Sequence, residues 1–240
     1  MDYPDRLPGY GIMASMPALP QLEIPSIAID GSDLRFQVRR IYCVGLNYAD
    51  HAREMGKDPQ RNPPFFFSKP ADAVVMSGRR LPFPVKTADL HHEVELVVAL
   101  GAGGANIRAG DAAAIIYGHA VGIDLTRRDL QAEAKSAGRP WDMAKGFDHS
   151  APVGALVRGA PPAAGAITLT IDGSVRQAGN LQDMIWGVAE IIASLSAYIT
   201  LAPGDLIFTG TPSGVGPIRR GESVRGSISG VPAIEVSFDS

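Results

Sequence analysis

The segment His91-His92-Glu93-Val94-Glu95-Leu96-Val97-Val98 sets two acids into an otherwise apolar run. On a strand, residues two apart share a face, so Glu93 and Glu95 point one way and Val94, Leu96 and Val98 the other. Like charges side by side on such a strand repel and are costly to desolvate, unless a cation or a shared proton compensates. A second apolar segment, Ala120-Val121-Gly122-Ile123-Asp124-Leu125, also runs into an acid. Carboxylates at strand ends with no cysteine beside them suit a hard cation, Mg²⁺ or Mn²⁺. The competing reading is a Glu-x-Glu pair facing solvent from an edge strand.

His51 and Glu54 lie three apart, which places them on one face of a short helix. A carboxylate there can orient the imidazole to take a proton from water, although the same spacing also suits a surface ion pair. Lys69-Pro70 closes an aromatic run. Lys145 stands between Trp141 and Phe147, where a lysine either snorkels to solvent or serves a site. His119 and His149 have no evident partner and read as structural. Two glycine-rich loops, Gly101–Asn106 and Gly210–Gly216, lack the third glycine of a dinucleotide loop and the Gly-Lys-Ser/Thr ending of a phosphate loop, so both read as turns.

These groups need elements to hold them. The first forty or so residues are proline-rich and read as an arm, with one or two short strands around Ile24 to Ile29 and a turn at Asp30-Gly31. Strand-like runs follow at Arg40–Leu46, Phe65–Ser68, Leu90–Leu100 and Ala120–Leu125, with a helix expected over Ala109–Tyr117. Thr126 is placed to cap the next helix, Asp129 to complete a capping box, and Gly138 to end it. Asp172-Gly173 predicts a tight hairpin between Ile167–Ile171 and Ser174–Gln177. Val188, Ile191, Ile192, Leu195 and Tyr198 recur at helical spacing. Leu206–Thr209 and Val231–Phe238 supply further strands. Many short strands, few helices and no repeating βαβ unit argue for an α+β, mainly β, architecture.

The length of 240 residues fits one large domain or one with a small appendage. A net charge of −3 offers no general attraction to nucleic acid or acidic membranes. The single cysteine, Cys43, excludes an intrachain disulfide and any cysteine-built zinc site, and its apolar neighbours predict a buried thiol. No apolar run spans a bilayer, and the N-terminus, with Asp2, Asp5 and scattered prolines, does not resemble a secretory signal. The expectation is a soluble cytoplasmic protein.

Six motifs then fall into one order: Val44-Gly45-Leu46-Asn47-Tyr48-Ala49-Asp50-His51, Phe67-Ser68-Lys69-Pro70, His91–Leu96, Gly122–Gln131, Pro140–Asp148 and Gly204–Pro212. The ordered set resembles the fumarylacetoacetate hydrolase family from about Arg40 onward. Within it, Lys69–Val74 and Arg127–Glu133 look most like the members that hydrolyse fumarylpyruvate. The resemblance implies a mixed β-sandwich roll, usually homodimeric, with residues 1–39 as an arm and 40–240 as a metal-dependent catalytic domain. It implies Glu93, Glu95 and Asp124 as ligands of Mg²⁺ or Mn²⁺. His51 and Glu54 would be the catalytic dyad, on a segment from Asp50 to Asn62 that closes over the site. Lys145 would stabilise developing charge and Gln131 would position water, while Arg128 and Thr211 would hold substrate oxygens. Many relatives carry Arg where this chain has Leu46, so Arg127, Arg53 and Lys69 become the candidates for a distal substrate carboxylate. The implied reaction is hydrolysis of the carbon–carbon bond of an acylpyruvate, with fumarylpyruvate, cleaved to fumarate and pyruvate, as the expected substrate. A general acylpyruvase, oxaloacetate decarboxylation and a non-catalytic metal- or ligand-binding member stand as alternatives.

Overall fold

Residues 23–56 and 62–240 are described by a computed structural model. Its centre is a mixed sheet whose strands run in the order Phe65–Lys69, Arg40–Gly45, Asp205–Phe208, Val94–Leu100, Ile116–Ile123, Ala151–Val153 and Val74–Met76. The Asp205–Phe208 strand pairs parallel with Arg40–Gly45 and antiparallel with Val94–Leu100. Val94–Leu100 is therefore an interior strand, which removes the reading of Glu95 as a solvent-facing residue on an edge.

Every residue of Val94–Leu100 is buried, because the sheet is covered on both faces. Val94, Leu96 and Val98 enter a core shared with Ile167, Leu169, Val224 and Val236 of a second sheet and with Ile191, Ile192 and Leu195 of helix Val188–Tyr198. Val97 and Ala99 point the other way, against Ile27, Ile29 and Phe36 of the hairpin Ser26–Ile29/Ser32–Gln37. The period of two expected from the sequence is thus used on both faces. Each such aliphatic side chain contributes about 1.5–3 kcal/mol on burial. Tyr198 departs from the buried face of its helix and is 72% exposed.

The second sheet has the order Ser174–Asn180, Ala166–Ile171, Ser223–Ile228, Val231–Phe238 and Arg79–Leu81. Its hairpin turns at Asp172 and Gly173, both with positive φ, as the Asp-Gly pair predicts. These layers accord with the α+β, mainly β, class. Among the described residues no helix is long and apolar enough to cross a membrane.

Three local expectations are corrected. The run Leu90–Leu100 is not one strand: Leu90–His92 pairs with Thr126–Arg127 and Gly216–Ile218 in a separate small sheet, and the chain changes sheets at Glu93. Ala109–Ile115 is a 3₁₀ helix, and the following strand begins at Ile116, earlier than expected. Only Ala112 of that 3₁₀ segment is buried, so no apolar stripe sustains an α-helix, and β-branched Ile116 opens the strand. Finally, helix Arg128–Ser136 starts without a side-chain cap. Thr126 lies in a strand, and Asp129 instead accepts from Thr87 and from the backbone of Ala88. The helix does end before Gly138, whose φ is 63°.

Candidate active site

Glu95 pairs across the sheet with Gly122, and the Asp124 amide donates to the Glu93 carbonyl at 2.8 Å. Two antiparallel neighbours therefore end at the same level and bring Glu93, Glu95 and Asp124 together, with one oxygen of each within 4.8 Å of the others. All three residues are at least 94% buried. Of their counter-charges Lys145 is equally buried and Arg128 partly so. Lys145 Nζ lies 2.9 Å from Glu93 Oε2 and 2.8 Å from Asp124 Oδ2, so it serves the acidic cluster rather than reaching solvent. Arg128 donates to Glu93 Oε1 at 2.7 Å and to Gln131 Oε1 at 2.6 Å.

Burial alone would push the Glu93 carboxyl up, but Lys145, Arg128 and His51 outweigh it and hold it well below the ordinary carboxylate range. Glu95 goes the other way. Burial first, then the charges of Asp124 and Glu93, push it well above that range, against the hydrogen bond from the Gly210 amide. Burial would lower Lys145, yet Asp124 and Glu93 raise it, so the ammonium stays charged. Asp124 Oδ1 sits 2.8 Å from Lys69 Nζ without the alignment of a hydrogen bond, and makes none elsewhere among the described residues. A buried oxygen lacking a hydrogen bond, a neighbouring carboxyl that resists ionisation and an all-oxygen donor set fit a hard divalent cation.

His51 projects from helix Ala49–Glu54, and its Nδ1 is 3.1 Å from Glu54 Oε2. With Nδ1–H donated to Glu54, Nε2 is left as a base. Glu54 is itself held by the Gly214 amide, 3.1 and 3.2 Å from its two oxygens. Gly214 has φ +94°, and a Cβ there would lie 2.3 Å from the Arg176 carbonyl, so only glycine presents this amide without displacement. Leu46, which leads into this helix, has φ 56°, unusual for a bulky residue. Buried Asn47 beside it binds the Trp186 and Thr209 carbonyls and the Trp186 amide, which secures the turn.

His51, Glu93, Glu95, Arg128, Gln131, Lys145 and Thr211 line one cavity of about 370 Å³. Leu46, Met55, Phe65, Phe67 and Trp141 continue its wall in apolar character, together with Lys135. Phe65 and Phe67 fix Trp141 at centroid distances of 5.6 and 5.7 Å.

Three residues that the resemblance offered for the distal carboxylate, Lys69, Arg127 and Arg53, are not among the described residues lining the cavity. Lys69 is buried, donates to the Leu125 and Lys145 carbonyls and contacts Asp124. Arg127 stacks over Phe147 at 4.3 Å and binds the Met143 carbonyl. Arg53 pairs with Asp50 on the exposed side of its helix. Of the segment expected to close over the site, Lys57, Asp58 and Pro59 lie outside the described residues. Cys43 is buried, as expected.

Sequence reasoning missed Gln177, Gly214 and Lys135. Fully buried Gln177 accepts from the Val94 amide and meets His92 Nδ1, both at 3.0 Å, and donates to Thr211 Oγ1 and the Pro212 carbonyl at 2.8 and 2.9 Å. Thr211 Oγ1 in turn donates to the Val94 carbonyl at 2.8 Å, so its proton is committed and its hydroxyl meets a ligand only as an acceptor. Lys135 alone had a signal, since Arg128, Gln131 and Lys135 repeat at i, i+3 and i+7 on one helix.

Residues 40–238 match the fumarylacetoacetate hydrolase C-terminal family. A fumarylpyruvate hydrolase of a Ralstonia species is 41% identical over 72% of this chain and 91% of the relative. The mitochondrial oxaloacetate tautomerase of Mus musculus is 42% identical over 80% of this chain and 88% of its own. The crystal structure of fumarylpyruvate hydrolase from Pseudomonas aeruginosa, in complex with Mn²⁺ and pyruvate, is 49% identical and superposes with a TM-score of 0.89 over 92% of this chain and 98% of that one.

Proposed function

The chain belongs to the fumarylacetoacetate hydrolase family, and on that premise we propose that it is a divalent-metal-dependent hydrolase of acylpyruvates, with fumarylpyruvate its preferred substrate. The observation that carries the reading is an imidazole held by a carboxylate and facing the same cavity as the acidic cluster. Hydrolysis needs both a base for water and a means of stabilising negative charge. A cation bound by Glu93, Glu95 and Asp124 would supply a Lewis acid for the 2-oxo-acid end of the substrate.

The chain's own groups provide the rest. His51 Nε2 takes a proton from water while Glu54 holds the ring, and the hydroxide adds to the distal carbonyl carbon. The bond between that carbon and the pyruvyl methylene then breaks, and its electron pair passes to the pyruvyl fragment as an enolate. Lys145 and Arg128 lie where they can offset that charge, and the imidazolium returns its proton to the methylene carbon. Pyruvate and the acyl acid leave. Support for this product comes from the Pseudomonas relative, whose structure holds Mn²⁺ and pyruvate. The reading has the chain working on a small acylpyruvate as a homodimer in the cytoplasm.

Oxaloacetate tautomerisation or decarboxylation is the second reading, because the mouse relative is as similar as the Ralstonia enzyme. The aromatic wall beyond the acidic cluster favours a longer acyl chain than oxaloacetate offers. Purified protein with Mg²⁺ or Mn²⁺ should hydrolyse fumarylpyruvate and acetylpyruvate, and chelation should abolish the activity. His51→Ala should lower hydrolysis by on the order of 10²–10⁴-fold while metal affinity is retained. Turnover of oxaloacetate alone, or hydrolysis undiminished in His51→Ala, would overturn the proposal.

A further inference from the structure

We infer that His91 is a positioning residue: as the Nε2–H tautomer set by Asp89, it accepts the Nε–H of Arg128 and holds the guanidinium in the orientation that meets the substrate. The inference rests on the acylpyruvate reading above, in which Arg128 faces the reacting molecule, and assigns the group that keeps it in place.

The chemistry above makes no use of the histidine pair that precedes Glu93. His92 is committed to Gln177. His91 does not line the cavity among the described residues, and its ring stands between Asp89 and Arg128. Nε2 lies 2.9 Å from Asp89 Oδ1, and Nδ1 lies 3.3 Å from Arg128 Nε. An arginine Nε only donates and an ionised carboxylate only accepts, so a single placement of the hydrogen satisfies both ends: on Nε2, with the lone pair on Nδ1. The other tautomer would set two N–H groups against each other and leave a lone pair facing the carboxylate. Burial and then the Arg128 charge lower the His91 pKa below its ordinary value, against Asp89, in keeping with a neutral ring.

Each nitrogen of the guanidinium is then held by a different side chain. Nε donates to His91, Nη1 to Gln131 Oε1 at 2.6 Å and Nη2 to Glu93 Oε1 at 2.7 Å. Contacts at all three nitrogens fix the plane, whereas those at Nη1 and Nη2 alone would let it pivot. One N–H on each of Nη1 and Nη2 remains for a ligand, in the fork that suits a carboxylate. The backbone sets the spacing of this arrangement. Leu90 and His91 pair with Arg127 and Thr126, and the Arg128 amide donates to the Asp89 carbonyl at 2.8 Å. His91 therefore acts through Arg128, as outer partners act through the groups they orient, and its loss is expected to weaken ligand binding about tenfold.

The test replaces His91 by two amides. Asparagine places its oxygen where Nδ1 lies, so it can accept from Arg128 but falls short of Asp89. Glutamine reaches the place of Nε2, so it meets Asp89 and offers Arg128 nothing. Calorimetric titration of Mn²⁺-loaded protein with pyruvate reads binding without turnover. Wild type and His91→Asn should agree within about twofold, while His91→Gln should bind pyruvate about tenfold more weakly. A merely structural role would make the two amides equally costly. In an Arg128→Lys background, which keeps the charge but has no Nε–H, His91→Gln should change the affinity less than about twofold. Nitrogen NMR of histidine-labelled wild-type protein should show His91 as the Nε2–H tautomer, a readout that needs no variant to fold. Equal loss in both amide variants, no loss in His91→Gln, the full effect persisting beside Arg128→Lys, or an Nδ1–H tautomer would overturn the proposal. Acetylpyruvate turnover by the wild-type protein is measured separately, and its absence would remove the hydrolase reading without touching the binding result.

Discussion

Gln177→Leu is the substitution that most directly probes how the second sheet supports the site. Leucine is close in size but offers no hydrogen bonds, and Gln177 is fully buried with four polar partners. Thr211 keeps its bond to the Val94 carbonyl, so the Val94 amide and the Pro212 carbonyl are the backbone groups left orphaned. At about 1–3 kcal/mol for each unsatisfied buried group, the loss is about 2–6 kcal/mol, a large share of the 5–15 kcal/mol typical of a folded domain. Urea unfolding of metal-free protein would read it. The same bonds flank Glu93 on both sides, at His92 and Val94, so Mn²⁺ affinity should also fall by roughly tenfold, as for other groups that orient ligands from behind. Ile228→Ala serves as the control: it removes a buried side chain of the second sheet at comparable cost but should leave Mn²⁺ affinity unchanged. A loss below about 1 kcal/mol in Gln177→Leu, or equal Mn²⁺ weakening in both variants, would refute the argument.

Gly214→Ala should cost about 1–3 kcal/mol for its positive φ and its approach to the Arg176 carbonyl, and should lower kcat more than it raises KM, because Glu54 loses the amide that holds it. Steady-state kinetics with unaltered kcat would show that Glu54 is held adequately without it. His119 provides a pH test away from the site. Burial lowers its pKa below the ordinary value, against the bond to the Gly159 carbonyl. The unfolded chain therefore takes the proton first, and the contribution of this residue is present above about pH 6.5 and lost as pH falls through the folded value. The difference in unfolding free energy between wild type and His119→Gln should decline across that window by no more than about 1.4 kcal/mol per pH unit, and a flat difference would exclude the coupling.

The sequence by itself determined the parts of this protein that rest on local chemistry. The apolar run Val94–Leu100 specified a strand and the helical spacing from Val188 to Leu195 an amphipathic helix, and both form, whereas burial of the strand on both faces came from its interior place in the sheet. Asp172-Gly173 specified its turn through the positive φ that both positions adopt. The pairing of Glu93 with Glu95 was legible because a strand's alternation is a nearest-neighbour property, whereas their meeting with Asp124 depends on the pairing of Val94–Leu100 with Ile116–Ile123. The breaks and the assignments of the cations were decided only by the tertiary structure. Glu93 interrupts its strand because the chain there exchanges one set of sheet partners for another, and nothing in residues 90–100 encodes which strands those are. Thr126 and Asp129 have the composition of a capping box, yet Thr87 and the Ala88 amide, some forty residues away in sequence, claim the carboxylate. Lys69, Arg127 and Lys135 are alike as free side chains. Long-range packing sends the first beneath the acidic cluster and the second onto Phe147, and leaves the third on the cavity wall. A charged group is placed by the partners that compensate its desolvation, and those partners come from segments that only the fold brings together.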